Sequence, residues 1–204
     1  MPRFAANLLM MFNEWSFLDR FAAADDAGFE AVEFLFPYDF SPEDVAGRLK
    51  AAGLEQALFN LPPGDWAAGE RGIAALAGRQ DEFRASVMKA LDYALATGVK
   101  RLHMMAGLAP SHSAEAGERY RDAVRMACAT MEPHGIDIVL EPINRRDMPG
   151  YFLNDFDMAG EIIDELGLPN LKLQYDIYHR QILHGDVVKS LEELLPVIGH
   201  VQIA

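Results

Sequence analysis

The sequence has almost no cysteine: Cys128 is the only one among 204 residues. One thiol cannot close a disulfide within the chain, which excludes the small secreted domains that disulfides hold together. This usage fits a reducing compartment, and we expect a cytoplasmic protein. The residues around Cys128 read as a helix, so we interpret its thiol as packed in a core rather than as a nucleophile.

Positive charge is also scarce, with 18 basic against 31 acidic residues and a net charge of −13. Nucleic acids and anionic membranes are bound by clustered Lys and Arg, so we expect neither as a partner. No apolar run approaches the ~20 residues of a membrane span, and the N-terminal segment reads as a strand rather than a signal peptide. A small anionic substrate is still compatible, because it needs only a local cationic pocket.

Glycine-rich phosphate loops are absent, since neither G-x-G-x-x-G after a strand nor G-x-x-x-x-G-K-[ST] occurs. Their absence removes the main signature of an open, doubly wound nucleotide-binding sheet. What the sequence has is an alternation of short apolar segments with helical patterns. Strands are predicted at about 4–9, 31–36, 55–60, 101–105, 137–141, 171–176 and 199–203. Helices are predicted at roughly 16–27, 41–52, 80–97, 113–134, 155–167 and 186–195.

This alternation predicts an α/β fold with a parallel sheet and helices outside it. Polar residues at the ends of several strands favour a TIM-type (β/α)8 barrel over the doubly wound sheet. A complete barrel has eight strands and about 250 residues, whereas seven strands are counted here. We therefore expect a single barrel domain over residues 1–204 that lacks the C-terminal β/α unit. Unpaired first and last strands would invite pairing with another chain, so a homo-oligomer is possible.

Polar side chains end three consecutive predicted strands: Glu141 in IVLEPIN, Asp176 in LKLQYDIYH and Gln202 in HVQIA. The carboxyl ends of parallel strands meet at one mouth of a barrel, so the three should lie together. A buried carboxylate is costly unless it is paired, protonated or metal-bound. Oxygen ligands suit Mg²⁺ or Mn²⁺, and we predict a divalent metal site formed by these three residues.

Residues after these strand ends are candidates for substrate binding. His179 lies three positions after Asp176 and is interpreted as a substrate contact, with a packed loop histidine as the alternative. Arg145 and Asp147 follow Glu141 and are predicted to orient the substrate, although a solvated run of charges is an equal reading. The irregular stretch 61–80, anchored by Trp66, is interpreted as a mobile lid. Weaker candidates end or line earlier strands: Asn7, Glu33, Asn60 and His103.

Two segments carry a family resemblance, LEPINRRDMPGYFLNDF and LQYDIYHRQILHGDV. They resemble the hydroxypyruvate isomerase family of the xylose-isomerase-like barrel superfamily, and the likeness extends over essentially the whole chain. The resemblance implies a metal set that includes Glu141, Asp176 and Gln202, with Glu141 as a catalytic acid/base. The family's fourth ligand, a Glu from the last strand, has no counterpart in this sequence.

The reaction that the resemblance implies converts hydroxypyruvate into 2-hydroxy-3-oxopropanoate (tartronate semialdehyde) through a metal-stabilised enediolate, within glyoxylate metabolism. One alternative is a related sugar or 2-oxo-acid isomerase or epimerase of the same superfamily. A metal-dependent endonuclease of the superfamily is disfavoured by the net charge and by the lack of a His-rich metal cluster. A third possibility is an inactive, truncated barrel that binds metal weakly and self-associates.

Overall fold

The computed structural model describes residues 2–203 and contains one seven-stranded parallel sheet whose strands follow each other in chain order. The strands are β1 (Ala5–Asn7), β2 (Ala31–Glu33), β3 (Glu55–Asn60), β4 (Arg101–His103), β5 (Asp137–Leu140), β6 (Leu171–Asp176) and β7 (Ile198–Gln202). All seven predicted strands are confirmed, and the order is that of a TIM-type barrel.

The helices are α1 (Arg20–Asp26), α2 (Pro42–Ala52), α3 (Gln80–Thr97), α4 (Ala114–Met131), α5 (Phe156–Leu166), α6 (Ile177–Leu183) and α7 (Val187–Leu194). Short 3-10 turns, Phe17–Asp19 and Glu132–His134, extend α1 and α4. Six helices match the prediction. Helix α6 was not predicted, because its seven residues follow β6 directly, without a connecting loop.

The main core lies between the sheet and the helices. Aromatic side chains fill much of it: Phe34 of the β2 end packs edge-on against Phe21 of α1, with ring centroids 5.8 Å apart. Cys128 of α4 is buried in this core, and burial raises the pKa of its thiol to about 12. The interpretation of Cys128 as a packed thiol is therefore confirmed, since a nucleophile needs a thiolate.

The sheet is curled but open between its first and last strands. Within residues 2–203, β1 pairs only with β2, and β7 pairs only with β6. Side chains bridge the interior nevertheless: Nε2 of His200 in β7 lies 2.6 Å from Oε2 of Glu33 in β2. The expected seven-stranded barrel is thus present, and none of helices α1–α7 is long and apolar enough to cross a membrane.

The stretch 61–80 is irregular, as predicted, but its second half is packed. Gly72 pairs with Ala106, and a Cβ at Gly72 would collide with the Met105 backbone, so glycine is required there. Trp66 projects over the cavity mouth against Phe36, with ring centroids 5.1 Å apart. The lid stays a prediction.

Candidate active site

A cavity of about 1020 Å³ occupies the inside of the curled sheet. Side chains alternate across a strand, so each strand sends every second residue into this space. The cavity is lined by polar residues from all seven strands or their ends: Asn7, Glu33, Asn60, His103, Glu141, Gln174, Asp176, His200 and Gln202. Most of these side chains are buried, so the cavity is a polar chamber within an apolar shell.

Glu141 follows the last residue of β5 and is only 6% exposed. Burial is the main reason that its pKa is raised well above the ordinary carboxyl value, and the charge of Asp176 adds to the effect. A hydrogen bond from Gln174 acts in the opposite direction. Oε2 of Glu141 lies 3.5 Å from Nδ1 of His103. The result is a carboxyl group poised to exchange a proton.

His103, at the end of β4, is an uncharged neighbour of this carboxyl group. Burial, followed by the charges of His179 and His200, lowers its pKa to about 3. Its Nε2 is buried and has no hydrogen-bond partner within residues 2–203. A neutral imidazole at this position cannot neutralise Glu141, so the carboxylate needs another positive partner when it is ionised.

Asp176 is the last residue of β6 and is 4% exposed. Its Oδ1 accepts a hydrogen bond of 2.8 Å from the Tyr178 backbone N–H, so the side chain caps α6. Oδ2 lies 4.0 Å from Nε2 of His179. Burial raises the pKa of the Asp176 carboxyl. One residue thus starts a helix and presents an oxygen to the cavity.

His179 lies in the first turn of α6, not in a loop as predicted, and it faces the two carboxyl groups. Its Nε2 is 3.9 Å from Oε1 of Glu141 and 4.0 Å from Oδ2 of Asp176. One ligand atom of each residue lies within 4.8 Å of the other two. Helix α6 is what turns this side chain back over the end of β6, because it begins directly at the strand end.

Gln202, near the end of β7, lines the same cavity, and its amide is fixed by two hydrogen bonds. Nε2 donates to Oε1 of Glu33 at 2.8 Å, and Oε1 accepts from Nε2 of Gln174 at 2.8 Å. The carboxylate of Glu33 is an acceptor only, so the amide orientation is defined. The carbonyl oxygen therefore lies on the side of Gln174, which also contacts Glu141.

The two predicted substrate residues of the β5–α5 connection lie elsewhere. Arg145 donates to Oδ1 of Asn154 and lines a separate cavity of about 360 Å³. Asp147 accepts hydrogen bonds from Nδ2 of Asn144 at 2.8 Å and from the Tyr178 hydroxyl at 2.7 Å. Neither residue lines the large cavity. Direct contacts of Arg145 and Asp147 with a substrate stay a prediction. Their positions outside the large cavity do not support it.

Three residues of the site were not singled out from the sequence. Gln174 and His200 stand two positions before Asp176 and Gln202, so strand alternation alone would have placed them on the cavity face. Asn144, which contacts His179, lies in a connection without any periodic pattern. No sequence signal indicated its role.

The donors present fit a hard divalent cation. Glu141 and Asp176 bring two carboxyl groups together, and the pKa of each is raised mainly by burial. A cation between them would offset the cost of burying their negative charges. The carboxylate oxygens, with the Gln202 carbonyl oxygen nearby, are ligands that suit Mg²⁺ or Mn²⁺.

Comparisons with known proteins agree with the fold and narrow the chemistry. A family model described as "Xylose isomerase-like TIM barrel" matches residues 21–204. A protein named 2-oxo-tetronate isomerase from Cupriavidus necator is 53% identical, across 100% of this chain and 79% of its own length. A protein named hydroxypyruvate isomerase from Escherichia coli is 43% identical, across 100% of this chain and 80% of its own length.

Solved structures give the same picture. A Brucella melitensis structure, described as an AP endonuclease of family 2, superimposes with a TM-score of 0.97 at 49% identity, covering 100% of this chain and 80% of that one. An L-ribulose 3-epimerase superimposes with a TM-score of 0.79 at 24% identity, covering 98% of this chain and 69% of that one. This second likeness concerns the fold alone. The chain spans about four fifths of the length of the relatives named here.

Proposed function

This chain belongs to the xylose isomerase-like TIM barrel family, and we propose that it is an isomerase that moves a carbonyl group between C2 and C3 of a small hydroxylated 2-oxo acid. The observation that carries the proposal is the group of buried Glu141 and Asp176 with half-buried His179, in which one ligand atom of each lies within 4.8 Å of the others. The names of the relatives support the same reaction class.

Two substrates share the chemistry. In hydroxypyruvate, the carbonyl at C2 stands beside a hydroxymethyl group, and isomerisation gives 2-hydroxy-3-oxopropanoate. In 2-oxo-tetronate, C3 carries a hydroxyl and a further hydroxymethyl group, and the same step gives the 3-oxo acid. Both reactions remove one proton from C3, add one to C2, and move the hydroxyl proton from O3 to O2. The substrates differ by one carbon, which the cavity of about 1020 Å³ does not restrict.

We assign Glu141, Asp176 and Gln202 as the residues that would hold Mg²⁺ or Mn²⁺. Their oxygen atoms and the uncompensated charge of the two buried carboxyl groups fit such an ion. When bound, the ion supplies Lewis-acid polarisation of the substrate carbonyl, which lowers the cost of the enediolate.

Glu141 is the proposed proton carrier. Its carboxylate takes the proton from C3, and the same group returns a proton to C2 after the electrons have shifted. General acid–base catalysis of this kind typically contributes about 10²–10⁴-fold.

His179 is proposed to orient the substrate. The imidazole Nε2 lies about equally far from Glu141 and Asp176, outside hydrogen-bond distance of both, so it can contact an oxygen of the substrate between them. Trp66 lines the cavity and packs against Phe36, so its indole covers part of the space where the substrate would bind.

An endonuclease activity, which the description of the Brucella structure names, fits this chain less well. The net charge of −13 opposes the approach of a phosphate backbone. Within residues 2–203, only one group of three or more potential His, Cys, Asp or Glu ligands occurs. A small-molecule substrate is therefore the better match.

The test is a direct assay of product. The purified chain is incubated with hydroxypyruvate or with 2-oxo-tetronate, in the presence of Mg²⁺, of Mn²⁺, or of EDTA, and the products are followed by NMR. We expect metal-dependent formation of the 3-oxo isomer from at least one of the two acids. A folded protein that converts neither acid with either metal would contradict the proposal.

A further inference from the structure

The imidazole of His179 is held at one ring nitrogen by Asn144, a residue that is completely buried behind it. Nδ1 of His179 lies 2.8 Å from Nδ2 of Asn144 and 3.4 Å from the backbone nitrogen of the same residue. Both neighbours of Nδ1 are therefore nitrogen atoms of Asn144, provided that the side-chain amide is oriented as described.

The amide orientation is fixed by the other contacts of Asn144. Its Oδ1 accepts hydrogen bonds from the backbone N–H groups of Arg146 at 2.9 Å and Asp147 at 3.0 Å. Its Nδ2 also donates to Oδ2 of Asp147 at 2.8 Å. Rotating the amide by 180° would point its NH2 group at two backbone donors and its oxygen at a carboxylate. These three contacts, none of which involves His179, agree on one orientation.

The consequence for His179 is a defined tautomer. An amide N–H and a backbone N–H both point at Nδ1, so Nδ1 must supply a lone pair and cannot carry hydrogen. In the neutral ring the hydrogen then resides on Nε2, the atom that faces Glu141 and Asp176. A protonated Nε2 donates a hydrogen bond and has no lone pair to offer a metal ion.

We infer that Asn144 is a positioning residue that holds His179 in the Nε2–H tautomer, so that this imidazole presents a hydrogen-bond donor to a substrate oxygen instead of a ligand to a metal. This inference deepens the proposed function and rests on it for the identity of the substrate. It also gives Asp147 a role: its carboxylate fixes Asn144 from behind, and the Tyr178 hydroxyl fixes Asp147.

The tautomer can be measured without any substrate. In protein labelled with ¹⁵N-histidine, long-range proton–nitrogen spectra distinguish a ring nitrogen that carries hydrogen from one with a lone pair, and a His179→Gln variant assigns the signals. We expect His179 to carry its hydrogen on Nε2 at pH 8, both without metal and with saturating Mg²⁺. Hydrogen on Nδ1, or loss of the Nε2 hydrogen when Mg²⁺ binds, would overturn the inference.

An isosteric variant tests whether Asn144 determines the tautomer of His179. Asn144→Asp keeps the two backbone contacts of Oδ1 but replaces the donor at Nδ1 with an acceptor, so we expect hydrogen to move to Nδ1. Turnover should fall by about 100-fold, as for the loss of one placed donor, while Mg²⁺ affinity is kept. Asn154→Asp is the matched control, because Asn154 is a buried asparagine of the same connection whose partners are Arg145 and Tyr151. It should leave the His179 tautomer unchanged.

The outcomes separate this inference from the proposed function. If the acids are not converted but His179 shows the Nε2–H tautomer and Asn144→Asp moves it, the proposed function fails and the positioning role stands. If turnover is observed but Asn144→Asp leaves the tautomer unchanged, the positioning role fails and the function stands. Should Asn144→Asp not fold, the wild-type spectra with and without Mg²⁺ still decide the inference.

Discussion

His103 shows how burial sets the protonation state of single residues in this cavity. Its imidazole is fully enclosed, and its pKa of about 3 keeps it neutral at any pH at which the protein would work. In the unfolded chain the same group would have its ordinary pKa of about 6.5. Below that value the unfolded state binds a proton that the folded state does not, so His103 makes the fold less stable as the pH falls.

This difference in pKa predicts that acid lowers the free energy of unfolding and that replacing His103 removes this part of the pH dependence. Each pH unit between 6.5 and 3 costs about 1.4 kcal/mol, so the loss between pH 6.5 and pH 5 is about 2 kcal/mol. In His103→Gln, the free energy of unfolding should fall by about 2 kcal/mol less over that interval than in the wild-type protein. Urea denaturation at both pH values, with EDTA present, measures it. Equal pH dependence of the two proteins would show that His103 is not buried in its neutral form.

At the residue scale, the sequence predicted which strand-end carboxyl groups meet in the cavity but not how the connections direct side chains. Glu141 and Asp176 could be predicted because strand ends converge in a parallel barrel. The direction of Arg145 could not be predicted because no periodic rule governs a loop, and the structure places its guanidinium on Asn154. Asn144 went unnoticed for the same reason.

At the scale of elements, the junction of β6 and α6 combines stability with function. Asp176 ends the strand, caps the helix through the Tyr178 N–H and brings its second oxygen to His179. The strand could be predicted from its apolar residues, but the short helix after it could not. This helix is capped by the same residue that we propose as a metal ligand.

Two substitutions at Asp176 separate the roles. Asparagine is as good a helix cap as aspartate, so Asp176→Asn should keep the metal-free stability of the wild-type protein. Asp176→Ala should be less stable than Asp176→Asn by about 1 kcal/mol. Both should bind Mn²⁺ at least 10-fold more weakly than the wild-type protein, as expected for the loss of a ligand.

Urea denaturation in EDTA and titration with Mn²⁺ measure the two effects independently. Equal stability of the Asn and Ala variants would show that the cap contributes little. Wild-type affinity for Mn²⁺ in both variants would remove Asp176 from the metal set.

At the scale of the whole molecule, side chains in the interior connect the last strand of the open sheet to β2. β7 has only β6 as a neighbour within residues 2–203, but Glu33 of β2 binds both His200 and Gln202 across the interior. The seven strands and their order could be predicted, because local alternation dictates a parallel sheet in chain order. This link could not be predicted, because it joins residues more than 160 positions apart.

The link predicts how β7 responds to a change in β2. Glu33→Ala removes the acceptor for two β7 side chains, so amide hydrogen exchange in peptides that cover Ile198–Gln202 should become at least several-fold faster, while β3 to β5 change little. Glu55→Ala is the control, since it removes an acidic side chain whose contact with Arg3 is exposed on the surface. Unchanged exchange in β7 of Glu33→Ala would show that β6 alone holds the last strand.

The most direct test of the account is proton exchange at the substrate carbon. Wild-type protein and Glu141→Gln are incubated with hydroxypyruvate in D₂O, at Mg²⁺ concentrations that saturate both, and the C3 protons are followed by NMR. We expect metal-dependent deuterium incorporation at C3 by the wild-type protein, and a rate at least 10²-fold lower in Glu141→Gln. Deuterium incorporation at the wild-type rate in Glu141→Gln would contradict the central claim that Glu141 carries the proton.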